Sequence, residues 1–197
     1  MELILVRHGL PERREATDGP ADPPLAAIGH LQAEHMADYL ASEHIDAIYT
    51  SPMRRARQTA APLAERLGMA AVVVDDVAEY DRNASDYIPL EELKAANDPR
   101  FHDFAAGIGT GTGTGLDVHE GFVERVLGAI ESIIDRHRGE RVAVVCHGGV
   151  INVYLASLLG VTTEPPGFFY PNYTSIHRVA ASSSGVRSVV TVNETSH

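Results

Sequence analysis

Two short apolar runs, each ending in a histidine followed by glycine, restrict what this chain can become. The first is Leu3-Ile4-Leu5-Val6, leading into Arg7-His8-Gly9. The second, opened by Arg141, is Val142-Ala143-Val144-Val145-Cys146, leading into His147-Gly148-Gly149. Apolar runs without alternation describe strands covered on both faces, the kind that parallel sheets use. Open α/β sheets keep their ligand sites outside the carboxyl ends of such strands, at the level where both histidines stand. The pattern predicts Arg7 and His8 at the mouth of a site rather than in a core, with Gly9 permitting a sharp turn or a close backbone approach.

The chain between and beyond these runs alternates helical and strand patterns. An irregular loop is predicted over 10–24. Ile28, Leu31, His35 or Met36, and Tyr39 or Leu40 recur at helical steps, giving an amphipathic helix that ends near Ser42. Ile45 to Tyr49 reads as a strand. In Thr50-Ser51-Pro52 a hydroxyl can cap, and the proline can open, a helix over 52–67. A further buried strand is predicted over 71–74, and a short helix over 89–96 within the weakly patterned 80–103. The longest helix falls at 117–137, an apolar one at 150–159, and a closing strand pair at 173–179 and 186–192. Strands alternating with helices imply a three-layer α/β/α sandwich with a mostly parallel central sheet. The 197 residues fit a single domain with a variable insertion or lid at about 80–115. The alternating glycines from Gly107 to Gly115 cannot satisfy GxGxxG and follow no strand, so they read as a surface loop able to act as a lid.

A formal net charge of -11 argues against general binding to nucleic acid, whose non-specific affinity comes from basic surface. The lone cysteine, Cys146, cannot form an internal disulfide and reads as a small buried hydrophobe. No apolar run is long enough to span a membrane, so a soluble, cytoplasmic protein is expected. Oligomeric state, a homodimer included, stays open. The remaining histidines show no metal-ligand spacing, and no metal or cofactor is called for.

The chemistry follows from the residue types expected at the sheet edge. A neutral imidazole is a good nucleophile toward phosphorus when its other ring nitrogen is held as a donor. Guanidinium groups match phosphoryl oxygens, and Arg54, Arg55 and Arg57 crowd the positive end of a helix, which costs energy unless an anion lies near. The helix after His147 would aim backbone N–H groups at the same place. A carboxylic acid must protonate the leaving oxygen. Glu79, after a strand end, is the best-placed candidate, with Asp76 its rival.

Arg7-His8-Gly9, the run Ser51-Pro52-Met53-Arg54-Arg55-Ala56-Arg57-Gln58-Thr59-Ala60, and Val144-Val145-Cys146-His147-Gly148-Gly149 occur in this order. Together they resemble the histidine phosphatase superfamily, the phosphoglycerate mutase-like proteins. Smaller echoes lie at Pro24–Ala33 and at Asn172-Tyr173-Thr174-Ser175-Ile176. The resemblance implies that His8 becomes phosphorylated, that Arg7 and Arg55 bind the phosphate, and that His147 with Gly148 completes the pocket. It puts Glu79 at the proton donor's place. Where the family continues its first motif with acidic, hydroxyl and asparagine residues, this chain has Leu10, Pro11 and Arg14. Arg14 is either an added pocket cation or a solvated loop residue. The pattern after Glu79 is replaced by Tyr80-Asp81-Arg82-Asn83-Ala84-Ser85-Asp86-Tyr87. These departures favour hydrolysis over mutase-type phosphotransfer. The expectation is a metal-independent, histidine acid phosphatase-like phosphomonoesterase acting on a small-molecule phosphate ester. The alternatives are a non-catalytic phosphate-binding module and a mutase.

Overall fold

Residues 1–105, 117–161 and 169–197 are described by a computed structural model. Along the chain the elements are β1 (Glu2–Arg7), β2 (Arg14–Glu15), α1 (Ala27–Ala41), β3 (Ala47–Thr50), α2 (Arg54–Leu67) and β4 (Ala71–Val73). A short 3-10 turn (Asp75–Val77) precedes β5 (Asp86–Tyr87), α3 (Leu90–Ala95) and α4 (Pro99–Ala105). Then come α5 (Asp117–Arg136), β6 (Arg141–Cys146), α6 (Gly148–Leu159), β7 (Ile176–Ala181) and β8 (Arg187–Glu194). The glycine-rich stretch 107–115 lies outside the described residues.

Six strands form the main sheet in the order β4-β3-β6-β1-β7-β8. The first four run parallel, while β7 is antiparallel to β1 and β8 to β7. Alternation along β1 explains the layers. Leu3 and Leu5 point to one face, joining Val126, Ile130 and Ile133 of α5 and Ile151 and Leu155 of α6. Ile4 and Val6 point to the other, joining Met36 and Leu40 of α1 and Ala60 and Leu63 of α2. Apolar area removed from water on both faces, at about 25 cal/mol per Å², is what holds β1 and β6 in the centre. Among the described residues, no helix is long and apolar enough to cross a membrane.

Several local expectations need correction. The strand predicted over 71–74 is β4, an edge strand with Val72 and Val73 half exposed, because β-branched residues favour a pleated strand whether or not both faces are covered. The helix predicted from 52 begins at Arg54, and no side chain of the preceding residues caps it. Its first N–H is instead taken by the Asp22 carboxylate, at 3.0 and 3.2 Å, from the loop after β1. That loop is not wholly irregular: Arg14–Glu15 pair antiparallel with Asp86–Tyr87, joining the loop to the 80–105 segment. Helix α4 follows α3 in a region whose sequence showed one short helix at most.

The turn after β1 packs directly on α1. A Cβ at Gly9 would fall 2.6 Å from the carbonyl oxygen of Gly29, so both glycines are needed for the backbones to approach this closely.

Candidate functional site

The sheet order brings three strand ends together. Thr50 of β3 stands level with Val145 of β6, and Arg7 of β1 with Cys146. The pairing continues one step beyond the strands: Ser51 N–H donates to the Val145 carbonyl at 3.0 Å and His8 N–H to the Cys146 carbonyl at 3.0 Å. His147 therefore sits between Ser51 and His8, and the two imidazoles meet edge to face with centroids 5.1 Å apart.

Arg7 and His8, expected at a mouth, are instead buried, His8 with 3% of its surface exposed. The reason is a roof of two tyrosines. Tyr173 lays its ring against the Arg7 guanidinium, 4.0 Å from the centroid, and Tyr170 flanks it at 5.2 Å. The hydroxyls of Tyr170 and Tyr173 both donate to Glu91 of α3, tying the 80–105 segment over the site. Arg7 also donates through Nη1 to the Pro171 carbonyl.

His8 is held in one tautomer. Its Nδ1 lies 2.8 Å from the carbonyl oxygen of Gly9, which can only accept, so Nδ1 carries the proton and Nε2 keeps the lone pair. Burial, then the charges of Arg55 and Arg7, hold the ring far below its ordinary pKa. It is neutral and nucleophilic at physiological pH. Arg55 donates from Nε to His8 Nε2 at 3.3 Å.

Of the three neighbouring arginines, the structure buries Arg55 alone, at 1% exposure, and leaves Arg54 and Arg57 on the surface. A guanidinium this dry requires a partner. Asp81 supplies it, accepting from Nη2 at 2.9 and 3.2 Å, while the ring of Tyr87 covers the other side at 4.7 Å. Four buried side-chain nitrogens lack a hydrogen-bond partner among the described residues, and three belong to this cluster: Arg7 Nε, Arg55 Nη1 and His147 Nδ1. Burying such groups unsatisfied costs about 1–3 kcal/mol each, a cost that an anion's oxygens among them would remove.

Glu79 follows the 3-10 turn after β4 and is also buried. It accepts from Gly149 N–H through Oε2 at 2.8 Å, so this N–H of the α6 start, expected to aim at the anion, goes to the carboxylate. A Cβ at Gly149 would fall 3.0 Å from Glu79 Cδ and closer still to Oε1, so glycine is required there. Burial, then the charge of Asp81, pushes the Glu79 carboxyl up to about 7, where it can give and take a proton near neutrality. Asp76 is exposed on the 3-10 turn. Arg14 is exposed on β2, its backbone opposite Tyr87. Gly148 lies beside the Arg7 side chain, a Cβ there meeting Nε at 3.7 Å. The Cys146 thiol is buried, and burial pushes its pKa up. Among the described residues, no group of three His, Cys, Asp or Glu side chains is gathered as a metal-ligand set.

Comparison with known proteins bears on the family and the fold. The family model described as the histidine phosphatase superfamily (branch 1) matches residues 3–195. The uncharacterised phosphatase PhoE of Bacillus subtilis is 29% identical over 164 residues, 82% of this chain and 79% of that protein. Phosphoserine phosphatase 1 of Hydrogenobacter thermophilus is 30% identical over 163 residues, 82% of this chain and 77% of that protein. The native structure of a mycobacterial glucosyl-3-phosphoglycerate phosphatase superposes with a TM-score of 0.75 at 20% identity, covering 98% of this chain and 99% of that one. At that identity the likeness speaks for the fold.

Proposed function

The chain belongs to the histidine phosphatase superfamily (branch 1), and from that premise we propose that it hydrolyses small-molecule phosphomonoesters through a phosphohistidine on His8. One observation carries the reading: a buried, neutral His8, its Nδ1 engaged by the Gly9 carbonyl, faces a cradle of Arg7, Arg55 and His147 nitrogens without partners. In the first step the Nε2 lone pair attacks phosphorus, a P–N bond forms and the P–O bond to the leaving group breaks. The Glu79 proton passes to the departing oxygen. In the second step Glu79, now ionised, takes a proton from water, whose oxygen attacks phosphorus; the P–N bond breaks and inorganic phosphate leaves. The guanidinium groups balance charge on the phosphoryl oxygens, an effect worth about two to three orders of magnitude per donor. None of these steps calls on a metal or cofactor.

Glu79 serves better than Asp76 as the acid because its buried carboxyl is poised near neutrality, whereas Asp76 is exposed on the 3-10 turn. Relatives named for phosphoserine and glucosyl-3-phosphoglycerate support a phosphorylated alcohol as substrate. The histidine acid phosphatase-like label, cytoplasmic location and independence from nucleic acid and membrane are parts of the same proposal. The test is hydrolysis of a generic aryl phosphate in excess chelator, with a brief pulse of labelled ester quenched in alkali. An alkali-stable, acid-labile label that vanishes in His8→Ala, together with released phosphate, is expected. Tight phosphate binding without label or release indicates a binding module; transfer to a second hydroxyl in place of release indicates a mutase.

A further inference from the structure

Ser51 opens the second motif, wholly buried, and none of the roles above uses it. Its Oγ is 2.7 Å from Nε2 of His147 and also accepts the Met53 N–H at 3.3 Å. We infer that Ser51 is a positioning residue that donates its hydroxyl proton to His147 Nε2, fixing His147 as the Nδ1–H tautomer and arming Nδ1 as a hydrogen-bond donor to the phosphoryl group.

The hydrogen-bond inventory decides the direction. With the Met53 N–H on one lone pair, the hydroxyl proton has to go to an acceptor. Among the described residues, the acceptor within reach of Oγ is His147 Nε2. The opposite arrangement, His147 Nε2–H donating to Ser51, would leave the hydroxyl proton buried and unpaired, at about 1–3 kcal/mol. It would also turn a lone pair at Nδ1 toward phosphoryl oxygens, replacing an attraction by a repulsion. His147 Nδ1 is buried without a partner, in the same cluster as Arg7 Nε and Arg55 Nη1. A neutral ring suits a fixed tautomer, and burial together with Arg55, His8 and Arg7 keeps His147 well below its ordinary pKa. The two histidines are thus set in complementary ways. Gly9's carbonyl leaves His8 an acceptor that attacks, and Ser51's hydroxyl makes His147 a donor that binds.

The inference rests on the phosphatase reading for its purpose but not for its test. Two-dimensional ¹⁵N NMR of the resting protein reads the His147 tautomer directly, without turnover, with Ser51→Ala and His147→Gln for assignment. The expected result is a protonated Nδ1 and bare Nε2 in the wild type, and a mixed or inverted tautomer in Ser51→Ala. A protonated Nε2 in the wild type overturns the inference, even if the enzyme turns over. In parallel, inorganic phosphate should bind Ser51→Ala about tenfold or more weakly, the scale of one lost hydrogen bond to a charged group, with Ser51→Thr restoring binding. Unchanged phosphate affinity in a folded Ser51→Ala overturns it as well. A wild type with the expected tautomer but no phosphatase turnover counts against the function, not against this role.

Discussion

Replacing Asp81 by asparagine tests the electrostatics around the proposed acid. The Asp81 carboxylate accepts twice from Arg55 Nη2, and after burial it is the second cause of the rise of Glu79 from 4.5 to about 7. Asparagine keeps the shape and an accepting oxygen, so Arg55 stays anchored, but the negative charge disappears. Two effects then act in one direction. Repulsion of the Glu79 carboxylate is lost, and the Arg55 charge, no longer balanced, attracts that carboxylate more strongly. Both lower the Glu79 pKa. Burial remains and ranks first, so the fall is only part of the distance back to 4.5, about one unit or 1.4 kcal/mol. Glu79 must be protonated to donate, so kcat/KM declines above its pKa. The assay is phosphate release from an alkyl phosphomonoester, whose leaving oxygen needs a proton, across a pH series. The declining limb of Asp81→Asn should lie about one pH unit below that of the wild type, costing about tenfold well above neutrality and little on the acid side. Glu79→Gln, lacking the limb, is the reference. A limb that stays in place or moves upward would refute the argument.

The same carboxyl marks stability. Its folded pKa of about 7 exceeds the unfolded 4.5, so the stabilisation from holding it protonated is complete below 4.5 and is lost as pH rises through 7. Glu79→Gln should therefore be more stable than the wild type in mild alkali by up to about 3 kcal/mol and converge with it in acid, as unfolding followed at the two extremes would report. Gly149→Ala drives a Cβ into the Glu79 carboxylate, and kcat on an alkyl ester should drop by about a hundredfold while the far-ultraviolet circular dichroism is kept. At the other end of the sheet, Arg178 bridges Glu2, Glu43 and Glu194 with side-chain contacts of 2.6 to 3.0 Å. Arg178→Met leaves Glu194 without its cation, while Glu2 and Glu43 keep Arg141 at 2.7 and 3.4 Å, and should cost about 1–2 kcal/mol in urea unfolding, less than a fully buried pair because the carboxylates keep some water.

What the sequence disclosed follows from range. β1 and β6 were legible because burial on both faces writes an unbroken apolar run, and α5 and the β7–β8 pair because their periodicity is local; α1 forms where expected, but Ile28 and Leu31 of its expected stripe are exposed and Gly29 and Ala33 are buried in their place. His8, Arg55 and His147 could be named because they stand at strand ends or in a motif. Asp81, Tyr87, Glu91, Tyr170 and Tyr173 could not be placed. Their roles arise where a weakly patterned segment folds back over the strand ends, and through-space pairing leaves no periodic trace. Ser51 was visible as a capping hydroxyl, yet α2 takes its cap from Asp22 and Ser51 turns to His147 instead. The edge strand β4 was misjudged because three valines in a row look the same whether one face or two are covered.

The residue-for-residue alignment of β1 with β6 turns the apolar interior into a ruler. One step along a strand is about 3.3 Å, and a slip by one residue sends each side chain to the opposite face. The gap between the two imidazoles is thus graduated by Leu3 to Val6 against Val142 to Val145, side chains that never meet a ligand. Interior volume here answers to a tolerance narrower than stability alone demands: a repacked core can stay folded and still misspace the two histidines.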